Sequence, residues 1–583
     1  MNTFQKFWRM PIGLTVPAFA ILLAVFGIPI VGLFLTTLNA PDFSVANYQA
    51  FFAQRANVIV LLQTIEISVV ATAICLIIGY PMAYLIVAAP KRIRVALIVL
   101  VIVPYLTSGL ARTYAWILIL GGHGLINNLL VYLGLISNPL SLIYNRSAIY
   151  IGMVHIMLPM MIIPLISVMQ GIDQSLVAAA RSMGAGPFAA FWRVFFPLTL
   201  PGVRSGSLLV FIVCLGFYIT PAALGGLRDA MLSSFIASQV RNSFDLSYIA
   251  TAAFMLLAIA ALVLSMVGLD FSGERGRRSR LAVFGAVTRL LNKLFAPYRA
   301  QRWIAQLYRA GGGSPWSKIA GTVFVALVLF YLLFPEFVVI VMSFSGKPYL
   351  EFPPSELSLQ WYRSFFSAQP WTSAVWTSIQ IGLAVTILST IVGTLAAYGL
   401  ARTLPRLRGL LTMIVLTPIT FPVVVVGVAI YFGLVNFGLV GTRLGVVLAH
   451  TVGSLAFVVV IVSATLANFD WRLEQAAKSM RAGPLQTFLR VTLPLVRPGI
   501  IAGAVFAFIH SFDEIVITSF VGGFAIETLP MKMWENMNNT IDPTIAAAGS
   551  LLTLLPVLWL IVLYVAWWRL RLRGQPERSL PNT

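Results

Sequence analysis

Charge is what this sequence most lacks. Only 10% of its 583 residues are Asp, Glu, Lys or Arg, while 59% are hydrophobic, which excludes a water-soluble globule. Acid is scarcer than base, with 18 Asp and Glu against 39 Lys and Arg. There are two cysteines, Cys75 and Cys214, both in apolar runs, so neither a disulfide framework nor a Cys-based metal site is available. Four histidines, His123, His155, His450 and His510, are scattered without His-x-x-x-His or Glu-x-x-His pairing, which argues against a metal site. No G-x-x-x-x-G-K-[ST] loop occurs, since Gly346-Lys347 is followed by Pro348. Any ATP hydrolysis therefore belongs to another polypeptide.

What is present is a series of about twelve apolar runs, each long enough as a helix to cross roughly 30 Å of hydrocarbon. The first six are placed at 13–37, 57–88, 95–120, 147–170, 203–224 and 248–269. The second six fall at 318–344, 371–401, 410–435, 443–466, 499–520 and 543–568. Alternating strand-length segments are absent, so the expected fold class is an all-α polytopic membrane protein. The first run is longer than a signal-peptide core and is expected to be retained. With Lys6 and Arg9 on the cytoplasmic side, the even-numbered runs all end in basic segments such as "PKRIR" and "RLRLRG". That bias predicts cytoplasmic termini in a bacterial inner membrane, and it accounts for the net charge of +21 without nucleic acid.

Two stretches nearly repeat each other: "AAARSMGAGPFAAFWRVFFPLTLPG" from Ala178 and "QAAKSMRAGPLQTFLRVTLPLVRPG" from Gln475. They align without gaps at an offset of 297 residues, matching Ala179 to Ala476, Ala180 to Ala477, Pro187 to Pro484 and Arg193 to Arg490. Each follows the fourth run of its half, so the halves are parallel six-span repeats. The expected units are 1–269, with the repeated loop at 173–202, and 318–568, with its loop at 470–499. A basic cytoplasmic linker, 270–317, joins them, and a tail, 569–583, follows.

Each repeated stretch reads as two short helices. Asp173 caps the first, "GAGP" breaks it, Pro187 opens the second, and Pro197 and Pro201 are expected to stop it before the next span. Helices this short are marginal alone, so Leu176, Ala179, Ala180 and Met183 ask for a partner surface. Two copies imply a two-fold partner.

Both stretches resemble the EAA loop of ABC-importer permeases: E-A-A, three residues, G, nine residues, then I-x-L-P. The matching positions are Ala178, Ala179, Ala180, Gly184, Val194 and Pro197 in one half, and Gln475, Ala476, Ala477, Arg481, Val491 and Pro494 in the other. Ala178 and Gln475 depart from the family Glu, although Glu474 is adjacent, and Arg481 departs from the family Gly. Beyond the loops, "FAFIHSFDEIVITSFVGG", "TPAALGG", "RTYAWILIL" and "DPTIAA" resemble the two permease subunits of spermidine/putrescine-type importers, joined in one chain. The resemblance implies the type I importer permease fold and no cofactor in this chain. It also implies two copies of a cytoplasmic ATPase carrying ATP and Mg, and a periplasmic solute-binding protein. The ATPase-coupling residues it implies are those loop positions with Pro187, Glu474 and Pro484. A bulky charged residue at Ala180 or Ala477 is expected to weaken ATPase binding.

Acids inside the hydrocarbon cost roughly 2.5–3.5 kcal/mol each on insertion scales, so those kept there are candidates for a substrate pathway. Glu66 lies in the second run, and Asp513 with Glu514 about 18–22 Å into the eleventh at 1.5 Å per residue. These suit a cationic solute, a polyamine first. Structural roles remain open, with His510 one turn before Glu514 as a possible partner. Ferric iron, aminoethylphosphonate or an amino-acid derivative are alternative cargoes, and a proton-driven secondary transporter would explain the topology equally well.

Overall fold

The computed structural model describes residues 11–242, 245–267, 315–347, 352–523, 525–539, 543–555 and 558. The linker 270–317 lies outside the described residues except for its last three, as do Asp542 and the tail. Among the described residues ten helices are long and apolar enough to cross a membrane, eleven if one bent pair counts as a span. Of the last expected run, 543–568, Thr544–Leu555 is described as helix. Helix dominates because each backbone amide in hydrocarbon must be satisfied within its own segment. Large side chains such as Ile28, Leu62, Ile77 and Leu327 stay exposed, as a lipid-facing belt requires.

Two runs expected to be straight are broken in both halves. The third divides into Lys91–Leu106 and Gly109–Leu120, and the ninth into Pro405–Thr420 and Val423–Asn436, which meet at 101°. Proline explains where. Phe421 precedes Pro422 and is extended, with ψ 150°, as a residue before proline prefers. In the first half Thr107 Oγ1 donates to the Pro104 carbonyl at 2.7 Å and closes the helix there. The fifth and eleventh runs also break late, into Pro187–Gly216 with Ile219–Leu224, and Pro484–Phe512 with Val516–Val521.

At their opposite ends these same helices correct another expectation. Pro197 and Pro201 do not stop the second short helix, which runs unbroken into the fifth span. A π turn at Phe191–Phe195 precedes Pro197 and shifts the local hydrogen-bond register, so the ring can be carried. The second half has the same π turn at Phe488–Thr492, 297 residues on.

The halves are interleaved. The helix Gly13–Thr37 lies against Val423–Asn436 of the other half, with Gly32 facing the Phe432 ring and Pro29 facing Gly433. Such small residues let membrane helices approach closely. Reciprocally, Pro315–Met342 packs on the first half. Tyr331 Oη donates to the Ile151 carbonyl at 2.6 Å, and His155 Nε2 lies 3.1 Å from the Leu332 carbonyl.

Candidate functional site

The four breaks converge. Asp513 follows the end of Pro484–Phe512 and reaches across to the break in the first half. Its Oδ1 accepts from Ser108 Oγ at 2.5 Å and its Oδ2 from the Gly109 amide at 3.2 Å. The carboxylate thus caps the N-terminus of Gly109–Leu120, where the helix dipole favours negative charge. Glu514 turns the other way, its Oε1 accepting the Ile517 amide at 2.9 Å at the start of Val516–Val521. His450 holds this second break from both sides, with Nδ1 2.9 Å from Ser511 Oγ and Nε2 2.9 Å from Thr518 Oγ1. The sequence suggested His510 as a partner for Glu514, but His510 Nε2 has no hydrogen-bond partner among the described residues.

Between the breaks lies a cavity of about 260 Å³. Phe217 and Tyr218 line it from the first half, with Phe421, Phe457, His510, Asp513 and Glu514 from the second. Its walls mix aromatic rings with aliphatic side chains such as Val213, Ile419 and Ile517, and the two carboxylates give it acidic groups. Aromatic faces and carboxylates are the two groups that attract an organic cation. Asp513 also lines a smaller cavity of about 60 Å³ with Ser108 and Tyr105.

Glu66 does not join this site. It is ion-paired at 3.0 Å with Arg146, whose Nε also contacts Asp229 at 3.1 Å, and its side chain is 53% exposed. Glu66 therefore stands apart from the cavity, in a half-exposed ion network.

A third acid beside the site was not singled out from sequence. Glu336, next to Pro335 within Pro315–Met342, is buried. Its Oε1 accepts from Thr107 Oγ1 at 3.1 Å, and its Oε2 is 3.9 Å from His155 Nε2. Arg112, also buried, donates from Nη2 to the Thr107 carbonyl at 3.3 Å, while its Nε and Nη1 have no hydrogen-bond partner among the described residues. One acid in an otherwise apolar run was the available signal.

The repeated loops form matching hairpins. Gln174–Ser182 begins with Asp173, whose Oδ1 accepts the Ser175 amide at 2.9 Å. That bond holds the Asp173 carboxyl below its ordinary pKa. Gly184 then takes φ +86°, Gly186 caps, and Pro187 opens the next helix. In the second half Arg472–Ser479 is followed by Arg481 at φ +64° and by Pro484. The Gly of the motif therefore serves a left-handed helix end, and Arg481 adopts that conformation at a cost.

The motif residues divide by face. Ala178, Ala179, Gln475 and Ala476 point outward, as do Met183 and Met480, which are 83% and 78% exposed. Ala180, Ala477 and Glu474 are buried inside the chain. Ala180 and Ala477 are thus covered by the chain itself, on the hairpins' inner face. Glu474 accepts from Tyr398 Oη at 3.1 Å and Thr492 Oγ1 at 2.5 Å, and pairs with Arg402.

A duplicated, broken-helix bundle with a central cavity and two exposed hairpins on one face defines a membrane permease built from two units. The family model described as "Binding-protein-dependent transport system inner membrane component" matches residues 389–571. The spermidine/putrescine transport system permease protein PotB of Escherichia coli (strain K12) is 35% identical over 205 residues, 35% of this chain and 74% of that protein. The putrescine transport system permease protein PotI of the same strain is 31% identical over 273 residues, 46% of this chain and 94% of that protein. The PotB of Haemophilus influenzae (strain ATCC 51907 / DSM 11121 / KW20 / Rd) is 37% identical over 180 residues, 31% of this chain and 63% of that protein. PotB and PotI match different parts of the chain, as two fused permease subunits would. The chain belongs to the binding-protein-dependent transport permeases: it is an ABC importer permease and a multi-pass membrane protein, which sets aside the secondary-transporter reading.

Proposed function

We propose that this permease carries a polyamine, spermidine, putrescine or a related amine, across a bacterial inner membrane into the cytoplasm. The observation that carries this reading is the pair Asp513 and Glu514 in a cavity lined in part by aromatic rings, where the breaks of both halves meet. An amine arriving from a periplasmic binding protein would exchange water for carboxylate and ring faces. It would compete with Ser108 and the Gly109 amide for Asp513, loosening the contact between halves as it passes. The names of the PotB and PotI relatives support the same solute class.

Two copies of a cytoplasmic ATPase, carrying ATP and Mg, dock on the outward faces of the two hairpins: Ala178, Ala179 and Met183 on one, Gln475, Ala476 and Met480 on the other. Closure of that ATPase pair draws the hairpins together and turns the cavity from inward- to outward-facing. The chain itself performs no covalent chemistry. The basic ends of the even-numbered spans support a cytoplasmic location for both termini.

The test is uptake of labelled spermidine and putrescine by the reconstituted importer. Asp513→Asn with Glu514→Gln should lower uptake at least tenfold while basal ATP hydrolysis and assembly persist. Unchanged uptake by that double variant would remove the amine pathway through this cavity.

A further inference from the structure

Beneath the first hairpin lies a cavity of about 620 Å³, framed by the ends of Arg55–Ala88 and Arg146–Gln170. In the second half the positions equivalent to Tyr84, Met169, Phe191 and Phe195, namely Tyr398, Leu466, Phe488 and Thr492, line a space of about 10 Å³ together with the deeper Thr394, Val462 and Val496. The sequence explains the difference. In the second half Glu474, Trp471 and Arg402 fill the seat: Arg402 pairs with Glu474 and lies 4.1 Å from the Tyr398 ring and 5.3 Å from the Trp471 ring. At the 297-residue offset, Glu474 corresponds to Val177 and Trp471 to Gln174. Aligning Tyr398 with Tyr84, which occupy the same place in the two cavities, puts Ala88 opposite Arg402. All three exchanges are to smaller side chains, and two of them remove a charge.

The space is not apolar. Arg94 and Arg181 line it together with Gln170 and Gln174, and none of the lining residues is acidic. Arg94 donates from Nε and Nη2 to the Ala89 carbonyl at 3.3 and 3.1 Å, which fixes its guanidinium at the rim. In the second half the acid that neutralises this seat is part of the chain; in the first half none of the described residues that line the space is acidic. We propose that this cavity binds an anionic phosphate group, with Arg94 and Arg181 as its cationic partners, in the place that the Glu474 carboxylate fills in the other half. Two sources share that chemistry: the headgroup of an anionic phospholipid in the adjoining leaflet, and free inorganic phosphate. Guanidinium groups suit phosphate oxygens through paired hydrogen bonds, and the hairpin above would be steadied when the site is filled.

The test uses the full chain assembled with its ATPase, stripped of lipid in detergent and examined by native mass spectrometry. Phosphatidylglycerol, phosphatidylcholine or inorganic phosphate is then added back. Retention of phosphatidylglycerol over phosphatidylcholine, weakened at least tenfold by Arg94→Gln with Arg181→Gln, supports the site with lipid as its source. Saturable inorganic phosphate binding, lost in the same variant, supports it with a soluble source. Val177→Glu with Ala88→Arg, which copies the second half's ion pair, should also abolish retention. Should that variant not accumulate, the arginine pair decides alone, since both side chains are at least partly exposed. Equal retention of both lipids, equal binding by wild type and the arginine variant, or no binding of either anion overturns the proposal.

Discussion

Gly216 and Asp513 stand at equivalent places, 297 residues apart, where the fifth span of each half meets the broken helix of the other. At Gly216 the backbone touches Pro422 and Val423 so closely that an added Cβ would lie 2.9 Å from both. At Asp513 a carboxylate reaches Ser108 and Gly109 instead. One joint is closed by backbone contact and the other by a carboxylate. A two-fold scaffold can thus give a pathway a direction of charge without giving up its symmetry. The hairpins teach the same lesson, since one rests on a buried ion pair and the other on an open space.

The comparison is broken most severely at Glu474. Glu474→Ala leaves Arg402 without its partner in a largely buried seat, and should cost about 3–5 kcal/mol. Thermal melting of the purified importer and loss of ATPase capture at the second hairpin would register it. Val177→Ala in the first half should change melting by less than about 1 kcal/mol; equal effects at the two positions would dissolve the asymmetry. Next in size is the inward face. Ala180→Glu places a carboxylate against the spans and should destabilise by on the order of 2–4 kcal/mol. Ala179→Glu, on the outer face, should leave melting unchanged and weaken ATPase co-purification instead. Gly216→Ala forces a methyl group against Pro422, for about 1–3 kcal/mol on the same melting measurement. The smallest effect concerns the hairpin tips: Arg481→Gly relieves a left-handed side-chain residue and should raise stability by about 1 kcal/mol, while Gly184→Ala should lower it by a similar amount.

Sequence made the spans, the parallel repeat and both hairpins legible, because hydropathy and a gapless 297-residue match report directly on helices and symmetry. The breaks were less legible. Hydropathy averages over a bend, so Pro104, Pro418 and Pro422 were passed over inside apolar runs that satisfied every length criterion. The facing of Ala178, Ala179 and Ala180 could not be read either, since three identical small side chains carry no amphipathic signal. Asp513 and Glu514 were found because acids are rare here. Their partners were not, because Ser108 and Gly109 lie 405 and 404 residues away in sequence.

The exchange of first helices between halves bears on how the protein is made. Gly32 finds Phe432 only after 400 further residues have been synthesised. At roughly 5–20 residues per second, that helix waits on the order of 20–80 s in the bilayer before its mate is inserted. The nascent first half therefore stays incomplete throughout translation of the second. Joining both halves in one chain keeps the late partner tethered beside the early one, where separately translated subunits would have to find each other by diffusion.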